Sequence, residues 1–210
     1  MAINPNTTHK NRNTCYIAMS GFGKSQALKQ NIPQRGARVI LWDPDNDHKA
    51  NHFSDKKAFI SALIAACKSG RGFRIAWDGV VDVATFEWWC SVVWEVLDGN
   101  KETIIVVEEL ADVSETSGKA SFYWGQLNRK VRKYGGVLHW TSQRSQEVSK
   151  TAYSQAAIKF IGYPNDGANL KMLSDMVQVS ESELKQLKPL EFFVREHIET
   201  TKKQFNYLPN

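Results

Sequence analysis

A short apolar run, Cys15-Tyr16-Ile17, passes through Ala18-Met19-Ser20-Gly21-Phe22-Gly23-Lys24-Ser25 into the helix-forming stretch Gln26-Ala27-Leu28-Lys29-Gln30. A strand that hands over to a helix through a glycine-rich turn constrains the fold more than any other feature of the chain. Such a turn needs residues with positive φ, which glycine adopts without steric cost. Glycine also lets the backbone approach an oxyanion, with N–H groups pointing inward and the positive end of the helix dipole behind them. A plain turn and a phosphate cradle both fit this segment taken alone. In the cradle, Lys24 reaches the β- and γ-phosphates and the Ser25 hydroxyl ligates Mg²⁺. The candidate nucleotide contacts are then Ser20, Gly21, Phe22, Gly23, Lys24, Ser25 and Gln26. Ala18 stands where the pattern G-x-x-x-x-G-K-[ST] has its first glycine, so the motif is incomplete and needs support from elsewhere in the chain.

That support begins with an alternation of strand and helix signals. "ARVILWDPDND" reads as an apolar strand ending in acidic turn residues, and "KKAFISALIAACKSG" as a helix closed by glycine. "GFRIAWDG" reads as a short buried strand, and "ATFEWWCSVVWEVLDGN" as an amphipathic helix ending at Gly99. Ile104 to Val107 form a β-branched run suited to a strand buried on both faces. A polar loop "VSETSGKA", a helix through "SFYWGQLNRKVRKY" and a strand "GGVLHWTS" follow, and the chain closes on a strand in "LEFFVREHI". The expected fold is α/β, a mostly parallel central sheet flanked by helices. With 210 residues, no internal repeat and no linker, one domain over 1–210 is expected, with a polar segment at 1–13 and a C-terminal part, 151–210, belonging to the same unit.

Composition bounds the setting. The chain is 42% apolar and 23% charged, an ordinary globular balance, and no run approaches the ~18 apolar residues of a membrane span. The polar start is no signal peptide, so a cytoplasmic location is expected. Three scattered cysteines, Cys15, Cys67 and Cys90, support neither a disulfide framework nor zinc. The net charge of +5 is compatible with an anionic partner without requiring one.

In a parallel sheet the C-terminal strand ends hold the ligand. Three candidates fall there: the Gly21–Ser25 loop, the acidic pair Glu108 and Glu109 after "IIVV", and Gln143 after "GVLHWTS". Solvated acids often end a strand, but joined to a phosphate loop the pair suits metal binding and activation of water. Neighbouring side chains on a strand point to opposite faces, so one shared role is excluded. The assignment is Glu108 to Mg²⁺ and Glu109 to general base. A Gln143 amide can hydrogen-bond both water and a γ-phosphate, as suits a sensor of nucleotide state.

The motifs "SGFGKS", "TIIVVEEL" and "GGVLHWTSQRSQEVSK", with the closing "AAIKFIGYPNDGANLKMLSD" and "ELKQLKPLEFFVRE", resemble the FtsK-HerA superfamily of P-loop motor ATPases, which have a RecA-like ASCE core. The resemblance spans nearly the whole chain. Within the superfamily it is greatest to the genome-packaging ATPases of tailless, membrane-containing phages with double-jelly-roll capsids. It implies ATP hydrolysis with Mg²⁺ at the interfaces of a homo-oligomeric, hexameric ring that translocates double-stranded DNA. It also implies a host-cytoplasmic or virion-associated protein with capsid-vertex or viral membrane proteins as further partners. Departures from the pattern are Ala18, Glu108 in place of Asp, and Ser142 inserted between Thr141 and Gln143, which leaves either Thr141 or Gln143 to face the phosphate.

The resemblance further implies an arginine supplied by the neighbouring subunit. Arg129, Arg132 and Arg144 are the candidates, and a solvated helix face explains "RKVRK" equally well. Arg129 and Arg132, three apart, are expected to share a helix face. Lys119, in the loop after the acidic pair, is a candidate DNA contact or a plain loop lysine. "KSGRGFR" belongs to the opposite sheet edge, Trp88, Trp89 and Trp94 read as core and subunit packing, and "WDPDND" reads as turn capping rather than a calcium loop. A P-loop small-molecule kinase and a nucleotide-switched DNA-binding or assembly factor are the competing functions.

Overall fold

The computed structural model describes residues 1–114, 118–164 and 167–208. Residues 115–117 of the loop after the acidic pair, and 165–166 of the closing segment, lie outside the described residues.

Nine strands form one sheet in the order β3-β4-β2-β5-β6-β1-β7-β8-β9. They are β1 (Thr14–Ile17), β2 (Arg38–Trp42), β3 (Asn51–Phe53), β4 (Phe73–Trp77), β5 (Thr103–Val107), β6 (Gly136–Ser142), β7 (Ile158–Ile161), β8 (Glu191–Glu196) and β9 (Glu199–Gln204). Strands β1 to β7 pair in parallel, and β8 and β9 join as an antiparallel hairpin. The mostly parallel α/β fold expected from the alternation is the fold observed.

Strand β6 lies between β1 and β5, so the glycine-rich turn and the acidic pair leave the sheet two strands apart, with the end of β6 between them. The chain leaves β1 for β2 on one side and later returns to place β7 on the other, which makes this rim a topological switch point.

The helices are α1 (Lys24–Asn31), α2 (Lys56–Ser69), α3 (Val83–Glu95), α4 (Phe122–Lys130), α5 (Lys150–Gln155), α6 (Leu170–Val177) and α7 (Glu181–Lys185). Asp55 caps α2 by accepting from the Ala58 N–H at 2.8 Å, and Gly70 ends it at φ 68°. Asp82 caps α3 in the same way through Thr85. Helix α3 stops at Glu95, short of Gly99, because the Val96 N–H turns back onto the Val93 carbonyl. Helix α4 ends at Lys130 and tightens into a 3₁₀ turn, Val131–Tyr134.

The core lies between sheet and helices. Strand β5 is buried at every position, as its apolar run requires. Trp42 and Trp77 on neighbouring strands pack against Phe59 of α2 and Phe86, Trp88 and Trp89 of α3. Trp89 is a core residue as expected, Trp88 is partly buried against that core, and Trp94 packs edge-on against Tyr134. All three cysteines are free. Strands β3 and β9 were not foreseen. β3 is three residues long, and "ETTKKQ" of β9 is an exposed edge with no apolar alternation. Among the described residues no helix is long and apolar enough to cross a membrane.

Candidate nucleotide-binding site

The turn after β1 has positive φ at two positions, Gly21 (72°) and Gly23 (100°). Gly23 is needed twice over, since a Cβ there meets Leu190 Cδ2 at 2.4 Å. Leu190, itself at φ 69°, donates its N–H to the Phe22 carbonyl at 2.9 Å and accepts from Phe205, so the terminal hairpin braces the turn.

Ala18 sits outside the positive-φ positions, and its methyl group is accommodated by a glycine across from it. A Cβ on Gly162 comes within 2.8 Å of Ala18 Cβ, and the chain following β7 holds the turn through Gly162 N–H to Ile17 O and Met19 N–H to Tyr163 O. The departure from the glycine pattern therefore leaves the turn intact. The Phe22 ring is buried against Tyr163 and Phe192, which leaves only its backbone at the turn. Ser20 and Gly21 are exposed, and the Gln26 side chain accepts from the Leu208 N–H.

Lys24 is buried and places Nζ 3.3 Å from Glu109 Oε1 and 3.4 Å from the Met19 carbonyl. The Ser25 hydroxyl lies 3.5 Å from Glu108 Oε2 and 3.3 Å from Asp47 Oδ2. Both carboxylates of the pair thus reach the glycine-rich turn, against the expectation that they face opposite sides. The reason is local: β5 ends at Val107, and Glu109 adopts a left-handed φ of 45°, so strand alternation no longer applies. Their neighbours still differ, Ser25 for Glu108 and Lys24 for Glu109.

Thr141 on β6 ties the pair together. Its hydroxyl donates to Glu108 Oε2 at 2.6 Å and accepts from the Glu109 N–H at 2.9 Å. Gln143 joins through its backbone N–H, which donates to Glu109 Oε2 at 3.2 Å. Burial raises the Glu109 pKa above the ordinary carboxylate value, against the opposing pull of Lys24.

The sequence reading missed His48 and Asp47. His48 is buried with Nε2 2.7 Å from Glu108 Oε1, and the Asp43 carboxylate accepts from the backbone N–H groups of both Asp47 and His48. Turn capping by "WDPDND" is present as expected, and the turn also delivers two side chains to the site. The adjacency of His48 to that acidic cluster was the only signal in the sequence.

The arginines separate. Arg132 precedes β6, at the sheet edge opposite Gln143, and donates to the carbonyls of Thr7 and His9. Arg129 lies folded beside Gly125 on α4. Helix α4 ends at Lys130, and Arg132 lies in the 3₁₀ turn that follows it. Arg144 leaves β6 at the site's own rim, paired with Asp112 and, at 3.1 Å, with Glu147. Lys119 is exposed.

The Ser25 hydroxyl lies beside the Glu108 and Asp47 carboxylates, an oxygen-only set of the kind that suits Mg²⁺. Among the described residues no group of three or more His, Cys, Asp or Glu forms a self-sufficient metal site.

Strand order, glycine-rich turn and the acidic pair beside it are those of a P-loop NTPase fold. The genome packaging NTPase B204 from Sulfolobus turreted icosahedral virus 2, solved in complex with AMPPCP, superposes with a TM-score of 0.69 at 14% identity, covering 95% of this chain and 99% of that one. VirB4 of Thermoanaerobacter pseudethanolicus gives 0.68 at 14% identity, covering 95% and 91%. No family profile matches the chain. Protein P9 of Pseudoalteromonas phage PM2 is 34% identical over 194 residues, 90% of this chain and 87% of that protein. The chain belongs to the family of that phage protein.

Proposed function

We propose that this chain is an ATPase motor that moves double-stranded DNA and packages a viral genome. The observation that carries the reading is the meeting of Lys24, Ser25, Glu108, Glu109 and the end of β6 at one rim of the sheet. Its kinship with a phage protein and its fold-level likeness to a genome packaging NTPase supply the biological setting.

In this reading the N–H groups of the Gly21–Ser25 turn and Lys24 hold the β- and γ-phosphates. Ser25 and Glu108 hold Mg²⁺, which when bound neutralises charge on the phosphoryl oxygens. Glu109 takes the proton of the attacking water, a role served by its raised pKa. The Gln143 amide aligns that water with the γ-phosphate. Arg144, the one candidate arginine at this rim, stabilises charge on the transferring group in a neighbouring subunit once released from Asp112 and Glu147.

The test is ATP turnover against protein concentration, with and without duplex DNA and with water as the only acceptor. The reading expects cooperative activation by both. Turnover that needs a small-molecule acceptor means a kinase, and ATP binding without turnover under every condition means a nucleotide switch.

A further inference from the structure

His48 is a buried imidazole whose ring makes a single hydrogen bond among the described residues. Nε2 meets Glu108 Oε1 at 2.7 Å, while Nδ1 is buried without a partner. A buried polar ring that commits its one bond to a carboxylate constrains that carboxylate strongly.

The element carrying His48 is itself fixed. The fully buried Asp43 carboxylate accepts the Asp47 N–H at 2.9 Å and the His48 N–H at 3.0 Å, and its Oδ2 also meets His52 Nε2 at 3.0 Å. The turn after β2 is thus clamped from inside and cannot carry His48 away without breaking those bonds.

Glu108 needs such a clamp for a physical reason. A glutamate has one more rotatable bond than an aspartate, and each free torsion costs entropy when a ligand must be held in one geometry. With His48 on Oε1 and Thr141 on Oε2, both carboxylate oxygens are pinned and the edge facing Ser25 is set.

We infer that His48 is a positioning residue that orients Glu108 toward Ser25 and so sets the affinity of the nucleotide site for Mg²⁺. The inference rests on the reading that Glu108 holds the ion. Outer partners of metal-binding groups commonly contribute ten- to a hundredfold in metal affinity.

The test compares His48→Gln, whose amide nitrogen falls near the position of Nε2, with His48→Asn, which is too short to reach Glu108. AMPPCP is titrated calorimetrically into each protein, once in Mg²⁺ and once in EDTA. The His48→Asn variant should lose about tenfold or more of the affinity gained from Mg²⁺, and its affinity in EDTA should stay at the wild-type value. The His48→Gln variant should keep most of the gain. Equal losses in Mg²⁺ and EDTA, or no loss in either, overturn the inference by leaving His48 a packing role only. A wild type whose affinity is indifferent to Mg²⁺ instead removes the metal role of Glu108, and this inference with it.

Should His48→Asn fail to fold, the wild-type imidazole decides. Its ¹⁵N signal at Nε2 should shift on Glu108→Gln and hold still on Glu109→Gln. An unmoved signal on Glu108→Gln overturns the inference.

Discussion

Lys24 and Glu109, far apart in the chain, meet at 3.3 Å between Nζ and Oε1, with Lys24 buried and Glu109 half-buried. Burial of Glu109 outweighs the attraction of Lys24, so its carboxyl holds a proton to higher pH than an exposed glutamate. A general base works only when deprotonated, so turnover must rise with pH through that raised value. The pH profile of kcat/KM should show an acid limb above the ordinary glutamate pKa of ~4.3. A limb at the ordinary value contradicts the assignment of Glu109.

Gly162 compensates for Ala18. In Gly162→Ala the new methyl comes 2.8 Å from Ala18 Cβ, 2.9 Å from Phe22 Cδ1 and 3.0 Å from Phe192 Cε1. Overpacking of this kind costs about 1–3 kcal/mol, and it should weaken nucleotide binding by displacing the turn. Adding Ala18→Gly removes the nearest clash and should restore part of both losses. Denaturant melts and nucleotide titrations of the single and double variants measure this, and strictly additive effects contradict the contact.

His139, buried on β6, shares a hydrogen bond of 3.1 Å with the Tyr16 hydroxyl and has its pKa lowered to about 4, first by burial and then by Arg12. The unfolded chain binds the proton near the ordinary value of ~6.5, so the unfolded state gains protons first as pH falls. The contribution of His139 is complete above that value and is lost by pH of about 4. The difference corresponds to about 3 kcal/mol. His139→Asn, which can still hydrogen-bond Tyr16, should flatten the fall in stability across this window in melts at graded pH. An unchanged slope contradicts the account.

Arg132 and Arg144 should behave differently. Arg132→Ala releases the Thr7 and His9 carbonyls and should lower stability by about 1 kcal/mol per lost hydrogen bond, with turnover per folded subunit unchanged. Arg144→Ala should lose turnover and regain part of it when mixed with Glu109→Gln subunits, because each variant supplies what its neighbour lacks. Failure of the mixture to recover activity contradicts a role for Arg144 across an interface.

The parts of the site legible in the sequence are contiguous. Gly21 to Ser25 lie in one turn, and Glu108 and Glu109 directly follow the apolar run of β5, so strand, turn and chemistry can be read from neighbouring letters. What braces them is remote in the chain: Leu190 against Gly23, Gly162 against Ala18, and His48 against Glu108. Sequence periodicity carries no information about such pairs, because sheet order creates them. The opposite-face expectation for the acidic pair failed for a related reason. Strand alternation holds only within the paired strand, and the left-handed residue Glu109 lies just past its end.

In this reading the residues meeting at this rim hydrolyse ATP, with Glu109 activating the water. Measuring MgATP binding and ATP turnover side by side for wild type and Glu109→Gln tests it most directly. The account predicts binding near the wild-type affinity and turnover lower by about a hundredfold or more, and undiminished turnover in that variant would contradict it.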